Sequence, residues 1–146
     1  MKEIDIVKKS ENYSIGDIGE FKDLKEYFYF HKAANMNIPG KVFLGESLNM
    51  TSMEISFQVL NAGKEIPFDH KHKTHEEVYI VLKGCGQFIV DGEVTHIKEG
   101  SVVRAAPQAN RRWKNNSKDD LVMMVIQAVN GTLKNYNVTD GYSKEQ

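Results

Sequence analysis

Gly63-Lys64-Glu65-Ile66-Pro67-Phe68-Asp69-His70-Lys71-His72-Lys73-Thr74-His75-Glu76-Glu77-Val78-Tyr79-Ile80-Val81-Leu82-Lys83-Gly84 is the stretch on which the reading of this chain turns. Three of the chain's five histidines crowd between His70 and Glu77. Imidazole and carboxylate groups are the donor set for zinc, iron, nickel, copper or manganese. His70 and His72 sit two apart, so on an extended strand both rings point to one face. Glu77 opens a β-prone run, Val78 to Leu82, that ends at Lys83-Gly84. If that run pairs antiparallel with the histidine segment, Glu77 returns close to both rings. Two histidines and one carboxylate leave coordination positions open, as a catalytic ion requires and a purely structural zinc does not. The plainer alternative is a solvated, charged edge, because Lys71 and Lys73 flank the histidines.

The wider frame resembles the first signature motif of the cupin superfamily, in which a glycine, a His-x-His pair, a glutamate and a closing glycine stand at set spacings. Gly63, His70, His72, Glu77 and Gly84 take those places, with the first gap one residue longer than the family's, in a loop that tolerates insertion. A second cupin motif runs from Gly100 through Pro107 to Asn116. Within it Ala109 stands where the family has glycine, and Arg112 where the family has its last metal-binding histidine. The resemblance covers about residues 42 to 128. It implies an all-β, double-stranded β-helix (jelly-roll) barrel. It also implies a divalent metal (iron, zinc, nickel or manganese) on His70, His72 and Glu77, and two copies paired through N-terminal strands.

Arg112 is the second informative residue. A guanidinium stays protonated, ligates no metal, and offers up to five hydrogen bonds in a flat fork. One reading keeps three ligands, His70, His72 and Glu77, with Arg112 clamping an anionic substrate. Another draws the missing ligand from His75, which shares strand parity with Glu77. A third has no metal, with Arg112 ion-paired to Glu77 and the histidines donating hydrogen bonds. In the plainest, Arg112 or its neighbour Arg111 points to solvent.

The 146 residues are enough for one domain with a substantial core. Apolar residues make up 40% of the chain, within the globular range. A net charge of −1 and a pI near 6.5 advertise no basic face for nucleic acid. No apolar run is long enough to span a bilayer, and the N-terminal residues lack the apolar core of a signal peptide. Cys85 is the single cysteine, so no intramolecular disulfide forms. A cytoplasmic protein is expected.

Residues 1–40 read as an N-terminal extension, 41–128 as the barrel and 129–146 as a polar C-terminal tail. In the extension, Phe21, Leu24 and Phe28 have helix-like spacing, yet Tyr27-Phe28-Tyr29-Phe30 is strongly β-prone. We read a strand there, with a helical turn just before it. From Val42 to Ala128 short strands alternate with turn signals, the all-β pattern. Along 52–60, Met53, Ile55, Phe57 and Val59 share one face, and Glu54, Ser56 and Gln58 the other. Asp91-Gly92 marks a two-residue hairpin. Tyr79 has the parity of Glu77 and should line the same cavity. On the last strand Met123, Val125 and Gln127 share a face whose direction the sequence leaves open. Trp113 reads as a core or interface residue before a ligand-stacking one. His31 and His96 have no visible partner and read as structural or surface residues. Tyr136 and Tyr142 in the tail could dock on the barrel or on a neighbouring subunit.

Two functions from different classes fit. One is a metal-dependent enzyme acting on a small polar molecule, acidic or sugar-like, with Tyr79 or Glu76 as acid/base and with Arg112 and Tyr79 as substrate-binding groups. The other is a non-catalytic small-molecule-binding module, metal-free or metal-assisted, with Arg112 as an anion clamp. Fold resemblance does not choose between them. The expected partners are a small-molecule ligand and a second copy of the chain, with no nucleic acid and no membrane.

Overall fold

The computed structural model describes residues 1–136 and 140–144. Its elements in chain order are β1 (Asp5–Lys9), β2 (Ser14–Asp17), a 3-10 turn (Phe21–Glu26), β3 (Phe28–His31), β4 (Met36–Pro39) and β5 (Lys41–Phe43). There follow a one-turn helix (Gly45–Leu48), β6 (Glu54–Leu60), β7 (His75–Lys83), β8 (Cys85–Val90) and β9 (Glu93–Lys98). Finally come β10 (Val102–Ala105), β11 (Arg111–Lys114) and β12 (Leu121–Val129). The helical turn expected ahead of the aromatic strand is there, closed at its start by reciprocal bonds between Glu20 and Asp23.

A five-stranded sheet, ordered β10-β7-β12-β6-β5, faces a three-stranded sheet, β11-β8-β9, and every pairing is antiparallel. The fold is the all-β, double-stranded β-helix barrel. Asp91 and Gly92 both take positive φ at the β8–β9 hairpin, which is why Asp-Gly serves there. Gly84 is required for a second reason. It has φ +81, and a Cβ would collide with the carbonyl oxygen of Asp120.

Side chains from both sheets fill one end of the interior, with Tyr79, Val81, Phe88, Ile97, Leu121 and Met123 buried there. Phe88 and Trp113 stack with ring centroids 6.2 Å apart, and Tyr79 packs 5.1 Å from Trp113. Trp113 is therefore a core residue.

The large sheet also buries its outer face. Val42, Val59 and Val122 form a second cluster with Leu24 and Tyr27 of the N-terminal extension. This settles the open parities. On β12, Met123 and Val125 face inward while Val122 faces outward, beneath the extension. On β6 the apolar face, Phe57 and Val59, lies under the extension. The polar face, Ser56 and Gln58, is buried in the barrel. Tyr136 and Tyr142 are 95% and 93% exposed, so neither docks on the barrel. Part of the tail lies outside the described residues.

Candidate metal and ligand site

His70 and His72 stand on an extended segment that the backbone ties to the far sheet. His70 and Arg111 exchange two backbone hydrogen bonds of 3.0 Å, and the His72 amide donates to the Pro107 carbonyl at 3.0 Å. The expected pairing of this segment with the strand carrying Glu77 is thus replaced by pairing with Arg111. Glu77 still arrives beside both rings, from β7, which lies between β10 and β12 in the large sheet. His72 Nε2 lies 3.2 Å from Glu77 Oε1, and His70 Nε2 lies 3.9 Å from Oε2. One donor atom from each of the three residues falls within 4.8 Å of the others. Among the described residues this is the one such group.

Glu77 is 3% exposed, and its two oxygens have different surroundings. Oε2 accepts from Tyr79 Oη, from Arg111 Nη2 at 2.7 Å and from Arg111 Nε at 3.1 Å. Oε1 faces His72. Burial pushes the carboxyl up, but the hydrogen bonds from its neighbours outweigh it and hold the group at about 2. Burial pushes His72 down, against the pull of Glu77, so its ring is neutral, as a metal ligand must be. Tyr79 is pushed up, by burial first and then by the Glu77 charge. Its hydroxyl keeps its proton, donates to Glu77, and sits beneath the carboxylate rather than in the cavity wall.

Several expected site residues lie elsewhere. Arg112 does not enter the cavity. It faces outward from β11 and pairs with Asp69 at 3.5 Å. Its neighbour Arg111 turns inward and is 0% exposed, its second arm donating to the Ala109 carbonyl at 2.8 Å. The reason is period-two alternation: Trp113 belongs to the core, so Arg111 points in with it and Arg112 points out. Glu76 lies on the other face of β7 and binds Arg104 at 2.6 Å, away from the site. His75 lies at the end of β7, contacts Thr74 at 3.1 Å and borders a separate hollow beside Glu54, so it does not supply a fourth ligand.

The histidine-glutamate group opens into a cavity of about 410 Å3. Sequence reading missed four of its polar walls: His31, Lys41, Gln58 and Gln127. His31 is a wall residue, contrary to the structural or surface role expected, and its Nδ1 accepts from the Ala34 amide at 3.0 Å, which leaves the proton on Nε2. Lys41 and Phe43 point inward because Val42 between them is buried outward, beneath the extension. An apolar hollow of about 310 Å3 shares Ile38, Gln58, Ile66 and Phe68 with this cavity.

Comparison with known proteins agrees with this architecture. The cupin domain family matches residues 56–127, the span from mid-β6 to late β12. A cupin protein from Bacteroides fragilis superimposes with a TM-score of 0.68 at 36% identity, over 72% of this chain and 89% of that one. The chain belongs to the cupin superfamily. A provisionally assigned sugar phosphate isomerase from Acidithiobacillus ferrooxidans gives a TM-score of 0.55 at 27% identity, over 60% of this chain and 57% of its own. A predicted oxalate decarboxylase from Thermotoga maritima shares the fold, with a TM-score of 0.56 at 22% identity, over 65% of this chain and 83% of its own. An uncharacterized protein of Methanocaldococcus jannaschii is 35% identical over 46 residues, 32% of this chain and 37% of that relative's length. No helix among the described residues is long and apolar enough to cross a membrane.

Proposed function

We propose that this cupin holds a divalent metal on His70, His72 and Glu77 and acts on a small polar molecule, acidic or sugar-like, bound in the adjoining cavity. The observation that carries the reading is a mismatch in hydrogen bonding. His72 Nε2 is buried and lies 3.2 Å from a carboxylate oxygen, yet makes no well-directed hydrogen bond. A buried nitrogen without a partner is costly, and a cation held between His72 Nε2, His70 Nε2 and Oε1 would satisfy it.

Arg111 and Tyr79 occupy Oε2, which leaves Oε1 as the oxygen free to ligate. Both groups position Glu77 and keep it ionised at neutral pH. A divalent ion on these donors supplies Lewis-acid polarisation and open coordination positions, and zinc, iron, nickel and manganese all accept this ligand set. With Glu76 outside and the Tyr79 proton committed to Glu77, His31, Lys41 and Tyr29 are cavity groups able to move a proton. The provisional assignment of the A. ferrooxidans relative supports a polar, sugar-like substrate.

A second reading has one observation in its favour. Arg111 already neutralises Glu77, so that carboxylate needs no ion as counter-charge, which suits a metal-free binding module. Metal content decides between the two, measured by mass spectrometry on untagged protein purified without chelator. Near-stoichiometric metal, lost in His72→Ala together with thermal stability, supports the first reading. No metal after incubation with iron, zinc, nickel and manganese turns to the second. Pairing of two copies is a further proposal, supported by the exposed Phe28 and Phe30 on β3. Sedimentation as a monomer at micromolar concentration would remove it.

A further inference from the structure

We infer that Lys41 anchors an anionic oxygen, carboxylate or phosphoryl, of the ligand that this cavity takes. The inference deepens the proposed function and rests on its reading of the cavity as a ligand site. It begins with the two arginines of β11, either of which could have been the anion clamp. Arg111 is spent on Glu77, and Arg112 faces away toward Asp69. Lys41, half-buried in the cavity wall, is the cation that remains.

Three features set its amine apart. It lines the same cavity as His70, His72 and Glu77. Its Nζ lies 5.0 Å from the centroid of the Phe43 ring, which holds the stem without consuming a hydrogen bond. Among the described residues it has no carboxylate within ion-pair distance and no side-chain hydrogen bond, although a lysine withdrawn from water is usually paired.

The acids whose charge reaches it are engaged elsewhere. Glu77 is neutralised by Arg111, and Glu54 accepts from the amides of Leu44 and Gly45 at 3.2 and 2.8 Å. Apart from Glu77, the charged residues in the cavity wall are Lys41 and the exposed Lys71, so the space carries uncompensated positive charge. Gln58, opposite Lys41 in the β5–β6 register, and Gln127, opposite Glu77, add amide donors beside it. Burial lowers the ammonium to about 8, a sign of a charge kept without a fixed counterion, and an arriving anion would supply one. A desolvated ammonium facing an open cavity is the chemistry that recognises a small oxyanion.

Isothermal titration with pyruvate, oxalate and inorganic phosphate, and glycerol as a neutral control, tests this on wild type, Lys41→Met and Lys41→Arg. Metal content is measured in each sample. The expected result is anion binding to wild type that weakens about tenfold or more in Lys41→Met, is largely kept in Lys41→Arg, and comes with unchanged metal content. The carboxylate and phosphate arms identify which oxyanion the site prefers. Equal affinity in wild type and Lys41→Met overturns the inference, and loss of that binding in His72→Ala would then assign anion capture to the metal. Binding lost in Lys41→Met while wild type holds no metal supports Lys41 and removes the metal reading instead. No anion bound by wild type at millimolar concentration overturns it. Should Lys41→Met fail to fold, the 13C signal of dimethylated Lys41, assigned by its absence in Lys41→Arg, must shift on adding the anion, and a static signal overturns the inference.

Discussion

The two faces of the large sheet are both buried, but by different means and with different chemistry. Outward, Val42, Phe57, Val59 and Val122 meet Leu24 and Tyr27 of the extension in an apolar layer. Inward, the same strands present Lys41, Ser56, Gln58 and Gln127 alongside Met123 and Val125. A strand that shows apolar residues to a neighbouring layer and polar residues to the barrel inverts the usual inside-out rule. The polar interior is tolerable because Arg111 satisfies Glu77 and because Lys41, Gln58 and Gln127 face a cavity, while the Ser56 hydroxyl is buried without a partner. Stability is therefore concentrated in the apolar end and the outer layer, and chemistry at the polar mouth.

Arg111 is the point where that division is most exposed to attack. Arg111→Met leaves the buried Glu77 without its counterion, and loss of about 3–5 kcal/mol in denaturant unfolding is expected. The double variant Arg111→Met/Glu77→Gln should recover much of it, because the cost lies in the orphaned charge rather than in the lost bond. The metal-free protein should also be acid-sensitive through Glu77. Its folded value of about 2 lies below its ordinary 4.5, so the stabilisation is complete above about pH 5 and disappears as the pH falls toward 2. Glu77→Gln should flatten that part of the stability-versus-pH curve; an unchanged curve would show that Glu77 gains nothing from its partners.

The outer layer is tested by Leu24→Ala. Leu24 is fully buried between the 3-10 turn and the sheet, and a loss of about 2–5 kcal/mol is expected from the removed contacts and the cavity left behind. Metal content should not change. A Leu24→Ala protein as stable as wild type would make the extension an appendage rather than part of the fold.

Most of the barrel was legible because alternation and turn chemistry are local signals. Asp91-Gly92 announced its hairpin, and the Gly63–Gly84 frame announced the histidine-glutamate group. Three things were not legible, each because side-chain direction depends on the partner across the strand. Arg112 stood at the family's ligand position, but the strand's phase is set by Trp113 in the core, and the phase puts Arg111 inside. That signal was present, since an indole flanked by charged residues fixes which alternate positions are buried. Lys41 gave less warning, because only the layer above Val42 decides that Lys41 points inward. His31 comes to the cavity through the β3–β4 hairpin, a placement no local pattern encodes.

Lys41 should show the opposite sign from Arg111. Its folded value of about 8 lies below its ordinary 10.5, so at neutral pH the fold bears the cost of a charged group it has desolvated. Stability then rises as the pH climbs from 8 toward 10.5, where the unfolded chain holds the proton the folded one has shed. Lys41→Met should stabilise the anion-free protein at pH 7 by about 1–3 kcal/mol and remove that alkaline rise. Destabilisation by the same change would mean that the amine has a partner within the fold.

The smallest effect belongs to Arg112, the residue that sequence reasoning ranked among the first. Its ion pair with Asp69 is 3.5 Å long and more than a third exposed on both sides, so water screens it. Pairs of that kind contribute about 1 kcal/mol at most. Arg112→Ala should therefore change stability by less than about 1 kcal/mol and leave anion affinity intact. Against the large cost expected at Arg111, one residue earlier, this isolates strand phase as the variable, since the two side chains are chemically identical. If Arg112→Ala instead abolished anion binding while Lys41→Met did not, β11 would have to be rotated by one residue from the register given by Arg111↔Val90 and Trp113↔Phe88.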